Sequence, residues 1–378
     1  MERVKFLVIA FGVVLFSMGL LVSCGSDSQE VDAGFKIVEI TPGRNDSPEY
    51  ENWIEGIEFI PLETRSECLV GGDINDILFY DDKYYIMSDR KRVHCFDKDG
   101  KFLFNVGFEG RGPGEYSLLT NISIDDGVIY AFCMNEMQLH SYDASTGKHI
   151  KSYKLSNNYS QVVVRDGYIY VTGVFLGGEK SSLVIDVMPL ENIEEVTRLY
   201  ASVEGESIWG GWKQLHSSKN CLVWVDLLRG KVWRLVDGKM EGWLDFDFGD
   251  NEWSNEALLA GKYRPNDESK VIMLSNFYVK GDDIYFEYEC NNKLYSVYYN
   301  LKTGNYYNVK FLSYKTSKPY YKQPFVKCAT DSWIGIMLVP YKGIEADDSI
   351  PAPFATYNRL KGLKSEDSNP VICVYNMK

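Results

Sequence analysis

The sequence is poor in the residues that most often build metal and redox centres. It has four histidines among 378 residues, and its eight cysteines form no CxxC pair. Short-spaced cysteines and histidines are the usual signature of a zinc site, so we expect no metal and no cofactor. Most cysteines lie in apolar stretches, as Cys95 and Cys373 do. A free cysteine there behaves as a small buried hydrophobe, which leaves disulfide formation open.

Positive charge is also scarce. The chain has 40 lysines and arginines against 53 acidic residues, a formal net charge of −13. A nucleic-acid-binding surface needs basic stripes that displace counterions from phosphates. The hydrophobic content of 45% is high enough for a sizeable core. The composition therefore predicts a folded domain that does not bind nucleic acid.

Motifs for phosphate, calcium and glycan chemistry are missing. Gly110-Arg111-Gly112-Pro113-Gly114 lacks the Gly-Lys-Ser/Thr of a P-loop, and a strand pattern follows it. Asp97-Lys98-Asp99-Gly100 lacks the ligand spacing of an EF-hand. The Ser-x-Asp-x-Gly-x-x-Trp box of sialidases is absent, and an abundance of acids alone does not identify a catalytic carboxylate pair. We therefore predict no catalytic residues.

The N-terminus has the pattern of an export signal. Arg3 and Lys5 precede an apolar run over residues 6–22, and Leu21-Val22-Ser23-Cys24 follows. Residues 1–23 are predicted to be a signal peptide; the alternative is an uncleaved anchor, since the run approaches the roughly 18–20 residues that span a membrane. Leu-Val-Ser-Cys resembles the lipobox of bacterial lipoproteins, which implies that Cys24 is lipidated and becomes the mature N-terminus.

Residues 24–49 are polar and irregular. We interpret them as a tether that contains at most one short strand, over residues 35–40, and we expect deletion of residues 25–49 to be tolerated.

One sequence motif, an acidic turn followed by an apolar–aromatic strand, recurs along the rest of the chain. It occupies residues 82–86, 126–130, 166–170, 282–286 and 331–335, with an altered copy at 219–224. Successive copies are 40 to 61 residues apart, and Gly turns follow several of them. Propeller blades run roughly 40–50 residues. The spacing predicts an all-β fold over residues 50–378, a six-bladed β-propeller of four-stranded antiparallel blades; a β-sandwich pair is the rival architecture.

The last repeat lacks an outer strand at the C-terminus, whereas residues 57–62 form an unpaired strand candidate. We expect this N-terminal strand to close the last blade, because closure removes exposed sheet edges. His94 and His140 fall at matching positions of consecutive repeats, which favours packing roles over a shared metal.

The repeats also resemble a known group. Residues 107–116, followed by residues 122–130, look like an NHL repeat, and the whole layout is similar to six-bladed β-propeller lipoproteins of Bacteroides and relatives. The shared marks include the lipobox, Ile60-Pro61-Leu62-Glu63-Thr64 and Asn369-Pro370-Val371. The resemblance implies a lipid-anchored protein of the cell envelope, in the outer membrane rather than the inner one. It leaves open the blade boundaries between residues 175 and 270, the leaflet, and the oligomeric state.

Aromatic-rich insertions are expected to share one face of the propeller, where repeat proteins place binding surfaces. The candidates for ligand or partner contact are Arg111, Trp209, Trp212, Trp253, Tyr263 and Arg264. Trp and Arg are typical binding anchors. The alternative is that the tryptophans cap the blade cores.

These observations favour a non-catalytic binding or scaffold module, attached to the membrane by its lipid, with a glycan or an envelope protein as partner. The principal alternative is a carbohydrate lyase or hydrolase on the same scaffold. A third hypothesis is a sensor domain that feeds a membrane complex.

Overall fold

A computed structural model describes residues 34–44, 46, 54–157, 159–177, 180–202, 213–260, 267, 269–309, 326–337, 357–364 and 368–377. In these residues strands dominate. In chain order they are β1 (Lys36–Glu39), β2 (Ile54–Pro61), β3 (Ile74–Tyr80), β4 (Lys83–Ser88), β5 (Arg92–Asp97), β6 (Phe102–Asn105), β7 (Asn121–Asp125), β8 (Val128–Cys133), β9 (Gln138–Asp143), β10 (His149–Lys154), β11 (Gln161–Arg165), β12 (Tyr168–Gly177), β13 (Lys180–Pro189), β14 (Thr197–Ala201), β15 (Leu215–Ser218), β16 (Cys221–Val225), β17 (Lys231–Val236), β18 (Lys239–Asp247), β19 (Ile272–Lys280), β20 (Asp283–Cys290), β21 (Lys293–Asn300), β22 (Tyr306–Val309), β23 (Val326–Ala329), β24 (Trp333–Met337) and β25 (Val371–Met377).

Helical structure is limited to short pieces. The α-helix α1 covers Asn255–Leu259, and its N-cap Ser254 accepts a hydrogen bond from the amide of Ala257 at 3.1 Å. Single 3₁₀ turns cover Ser66–Cys68, Met134–Glu136 and Gly249–Asn251. No helix in the described part of the chain is long and apolar enough to cross a membrane.

The strands form six sheets, which are the six blades of a β-propeller. Blades I, II and III are β3–β6, β7–β10 and β11–β14, each in sequence order; blade IV is β15–β18, and blade V is β19–β22. Blade VI has the order β23-β24-β25-β2. The innermost strands β3, β7, β11, β15, β19 and β23 contact one another in that order, and β23 returns to β3. The expected fold of six four-stranded antiparallel blades is confirmed.

The backbone conformation of the turns explains why the acidic sequence motif recurs. The turn residues Asp81 and Asp82 have φ of 48° and 56°, and Asp126 and Gly127 have φ of 43° and 74°. Positive φ at both central residues is characteristic of a type I′ hairpin, whose twist matches that of the flanking strands. Asp and Gly tolerate this left-handed backbone better than other residues do. The acidic residues of the motif therefore form the turn between the first two strands of a blade.

The expected closure by an N-terminal strand is also confirmed. Strand β2 pairs antiparallel with β25, from Ile54 opposite Met377 to Pro61 opposite Val371. Asn369 fixes the junction: its Nδ2 donates to the carbonyls of Glu63 and Cys68, each at 2.7 Å. The last blade is thus assembled from both ends of the propeller sequence.

The chain before β2 crosses two further blades. Strand β1 pairs in parallel with β18, which gives blade IV a fifth strand, and it buries Val38 and Ile40. The chain then runs along blade V. The amide of Thr41 donates to Tyr306 Oη at 3.1 Å, and Asn308 Nδ2 donates to the carbonyl of Thr41 at 3.0 Å.

We call residues 34–44 and 46 the strap. The short strand expected over residues 35–40 forms within it. The strap also shows that this part of the expected tether is fixed to the propeller.

Apolar side chains pack between neighbouring blades. Seven cysteines are described, all free, and only Cys221 among them is partly exposed; the others are Cys68, Cys95, Cys133, Cys290, Cys328 and Cys373. The interpretation of these residues as small buried hydrophobes therefore holds for six of them.

Candidate functional site

Five of the six innermost strands have a polar side chain, within the strand or directly before it, five residues before the first residue of the following turn. The residues are Asp76, Asn121, Gln161, Gln214 and Asn276. Three of them accept a hydrogen bond from a backbone amide of the next blade. Asp76 Oδ2 accepts from the amide of Ile122 and Asn121 Oδ1 from the amide of Val162, each at 3.2 Å. Gln161 Oε1 accepts from the amide of Leu215 at 2.8 Å. The sequence analysis missed this polar ring, although its constant spacing from the turns was a usable signal.

The polar ring lies near one mouth of the central channel. The loops between blades lead into the innermost strands at this mouth, and the turns between the second and third strands of each blade share the same face. We call it the loop face. Asn121 and Gln161 begin their strands, Gln214 directly precedes β15, and Asp76 is the third residue of β3, so these four lie close to the loop face and far from the acidic turns. Asn276 lies in the middle of β19.

An ion pair crosses the channel at this level. Lys213 directly precedes the ring residue Gln214 of blade IV, and its Nζ pairs with Oδ1 of Asp76 in blade I, which is the opposite blade. Asp76 is buried, and the side chain of Lys213 is 30% exposed. Burial alone would lower the pKa of Lys213, but the Asp76 carboxylate outweighs this and raises it. The lysine is therefore held in its charged form.

The groups around this pair are held neutral. Burial, assisted by the positive charge of Lys213, lowers the pKa of His216 well below its usual value. Burial raises the pKa of Cys328 to about 12, and it also raises the pKa of Tyr278. Among the described residues, the Lys213–Asp76 pair is thus accompanied by the neutral side chains of His216, Cys328 and Tyr278, an arrangement suited to holding blades together.

Other buried carboxylates lie in separate blades, each with its own donors. In blade III, Asp186 pairs with Arg198 at 2.7 Å, and in blade IV, Asp226 pairs with Arg229 at 3.1 Å. In blade V, Glu287 accepts from Tyr285 Oη and from Asn276 Nδ2. Burial raises the pKa of Asp226 to about 6 and also raises that of Glu287. A glycosidase needs two carboxyl groups that flank one bond, and Asp186, Asp226 and Glu287 belong to three different blades.

The structure describes two of the residues that the sequence proposed for binding, Arg111 and Trp253. Arg111 is exposed, on the loop between blades I and II. Trp253 is 8% exposed and packs with Leu228 and Leu258, which is the core-capping role that the sequence analysis left open. The remaining candidates lie outside the described residues; they are Cys24, Trp209, Trp212, Tyr263 and Arg264.

The loop that carries Arg111 is held by several contacts. Lys91 pairs with Glu109 at 3.3 Å, and the amide of Gly112 donates to Glu115 Oε2 at 2.7 Å. Phe108 is 66% exposed on the same loop. An arginine and a large apolar side chain are therefore displayed on a well-anchored loop, which is a suitable arrangement for contacting a partner.

A group of side chains that could hold a metal ion lies within blade II. The donor atoms of Cys133, Glu136 and His140 are within 4.8 Å of one another. Burial raises the pKa of Cys133 to about 12 and lowers that of His140. The group lies in blade II and is distant in sequence from the channel pair.

One solved structure has a similar fold, and a second is given for comparison only. A "Putative exported protein" of Bacteroides fragilis NCTC 9343 is 15% identical, with a TM-score of 0.68, and the match covers 91% of this chain and 100% of that chain. A member of the DUF4221 family from Bacteroides vulgatus is 11% identical, with a TM-score of 0.47 and coverage of 86% and 97%. No curated protein matches the sequence. The profile of the family described as "Domain of unknown function (DUF4934)" matches residues 35–376, and the chain therefore belongs to that family.

Proposed function

We propose that the protein is a lipid-anchored propeller of the bacterial cell envelope that binds a glycan or an envelope protein through its loop face, without catalysis. The Lys213–Asp76 pair carries this proposal. The channel mouth is where a propeller enzyme would gather its reacting groups. Here an internal ion pair uses that position to join opposite blades.

The binding surface is proposed to consist of the insertions on the loop face. Arg111 and Phe108 are exposed there, and Trp209, Trp212, Tyr263 and Arg264 belong by sequence to further loops between blades. The chain re-enters the described structure at Lys213, directly after Trp212. The insertion with two tryptophans is therefore connected to the channel mouth through one peptide bond.

We expect the combined change Trp209→Ala, Trp212→Ala and Arg264→Ala to abolish binding with little change in Tm. Exposed anchors contribute on the order of 2 kcal/mol or more each to binding. A glycan array and a pull-down from native envelopes measure binding, and calorimetry measures stability.

Trp253→Ala is the matched control, because Trp253 is a buried tryptophan in another loop between blades. It should lower the free energy of unfolding by about 3–5 kcal/mol. If the triple variant binds as the wild type does, or melts as early as Trp253→Ala, the proposed surface is wrong.

The envelope location is proposed from the lipobox at Leu21-Val22-Ser23-Cys24, and it agrees with the description of the similar Bacteroides fragilis protein as exported. We expect Cys24→Ala to abolish labelling with radioactive palmitate and to release the protein from membranes, because acyl chains supply the anchorage. Label that persists in the variant would contradict lipidation at Cys24. The circular dichroism of the variant should remain that of the wild type.

A further inference from the structure

Three side chains with different donor atoms converge at one hairpin of blade II. Cys133 ends β8, Glu136 lies in the 3₁₀ turn that follows, and His140 lies in β9. A thiol sulfur, a carboxylate oxygen and an imidazole nitrogen are thus all within 4.8 Å of one another. Cys133 and His140 are buried, and Glu136 is half-buried.

The imidazole of His140 is oriented with one nitrogen bonded and the other left without a partner. Nδ1 lies 2.8 Å from Ser152 Oγ and can donate a hydrogen bond to it. Nε2 is buried and has no hydrogen-bond partner among the described residues. Buried polar atoms are nearly always satisfied, so an unpaired nitrogen beside a thiol and a carboxylate requires an explanation.

Blade I provides an internal comparison. His94 occupies the matching place in β5, but its Nδ1 lies 2.6 Å from Asn105 Oδ1 and its Nε2 lies 3.1 Å from the carbonyl of Leu69. Both nitrogens of His94 are therefore used for packing, as the sequence analysis expected. The unpartnered Nε2 therefore distinguishes His140 from its counterpart His94 in blade I.

Glu136 is also held by a neighbouring side chain. Ser117 donates its hydroxyl hydrogen to Glu136 Oε1. Metal ligands in proteins are typically held in this way by hydrogen bonds that fix their orientation and tautomer. His140 and Glu136 therefore both have such a supporting contact.

We propose that Cys133, Glu136 and His140 bind a divalent transition-metal ion, and that zinc is the ion that suits this donor set best. Zinc takes sulfur, nitrogen and oxygen ligands, and three protein ligands leave a fourth position for water. Binding displaces the thiol proton of Cys133 to solvent. The thiolate and the carboxylate then balance the two positive charges of the ion, so the buried site is neutral overall.

The test uses the full-length protein without a histidine tag, stripped of metal with a chelator. Zinc is titrated against a competing indicator dye, and cobalt is used as a spectroscopic probe. We expect one ion per chain and, with cobalt, a thiolate-to-metal charge-transfer band. Cys133→Ser should remove that band, and Glu136→Gln and His140→Asn should each weaken zinc binding at least tenfold. Ser152→Ala, which removes the contact to His140 Nδ1 together with the contact to His149 Nε2, should weaken it about 10–100-fold.

Cys95→Ser and His94→Asn are the matched controls, since both residues are buried in the third strand of the neighbouring blade. They should leave zinc affinity and the cobalt band unchanged. Zinc binding that survives both Cys133→Ser and His140→Asn would overturn the proposal, as would a wild-type protein that shows no cobalt–thiolate band. The second result needs no variant, so it decides the question even if a substitution prevents folding.

Discussion

A chain that begins at Glu63 should not unfold cooperatively, whereas a chain that begins at Gly34 should melt at the temperature of the full-length protein. The longer truncation removes β2, which is the outer strand of blade VI. It removes the buried side chains of Ile57, Phe59 and Ile60, each worth about 1.5–3 kcal/mol of burial. The sum approaches the whole stability of a typical domain, and the edge of β25 is exposed as well.

Differential scanning calorimetry and near-ultraviolet circular dichroism measure this effect. An intermediate truncation that begins at Pro48 supplies the control, since it removes only the strap. It should stay cooperative at a lowered Tm, because Val38 and Ile40 no longer cover β18 and blade V. A free tether could be deleted without loss of stability, and we do not expect this for the strap. Cooperative melting at an unchanged midpoint in the chain from Glu63 would contradict closure by β2.

Replacing Asp76 with Asn should lower the free energy of unfolding by about 3 kcal/mol. The change leaves the Lys213 cation in the channel without its counterion, and the loss of one partner of a buried pair typically costs about 3–5 kcal/mol. The partial exposure of Lys213 places the effect at the lower end. The Asn side chain still offers an oxygen to the amide of Ile122, so the hydrogen bond to blade II is retained.

Urea unfolding of the single and double variants forms a mutant cycle. The double change Asp76→Asn and Lys213→Met should cost less than the sum of the two single changes, because it leaves no uncompensated charge. Asp331→Asn is the matched control: its ion pair with Lys219 also joins two blades, but it is exposed and should be worth about 0–1 kcal/mol. Strict additivity of Asp76→Asn and Lys213→Met would show that the pair does not couple the blades.

Features governed by local backbone geometry could be predicted from the sequence. The blades were recognisable because Asp–Asp and Asp–Gly pairs favour the left-handed φ of type I′ turns, as at Asp81 and Asp126. The closure was predictable because a last blade short of one strand must recruit another. The short strand over residues 35–40 was also expected, but its parallel pairing with β18 was not, since the two segments are about 200 residues apart.

The site depended on contacts that no local pattern encodes. Asp76 and Lys213 are 137 residues apart in sequence and meet only because six blades close a ring. Trp253 had the sequence context of an exposed anchor, yet the turn between β16 and β17 brings Leu228 against it. Cys133, Glu136 and His140 match no familiar ligand spacing, and a hairpin of blade II brings them together.

If the protein is held at the membrane by its N-terminus, as proposed above, the strap has a mechanical consequence. A pull from that end reaches β1 on blade IV first, next the contacts of Thr41 and Asp46 along blade V, and only then β2 in blade VI. The strap contacts must therefore break before force reaches β2, the strand that closes the ring. A moderate pull can detach the strap while β2 stays paired with β25 and the propeller stays closed.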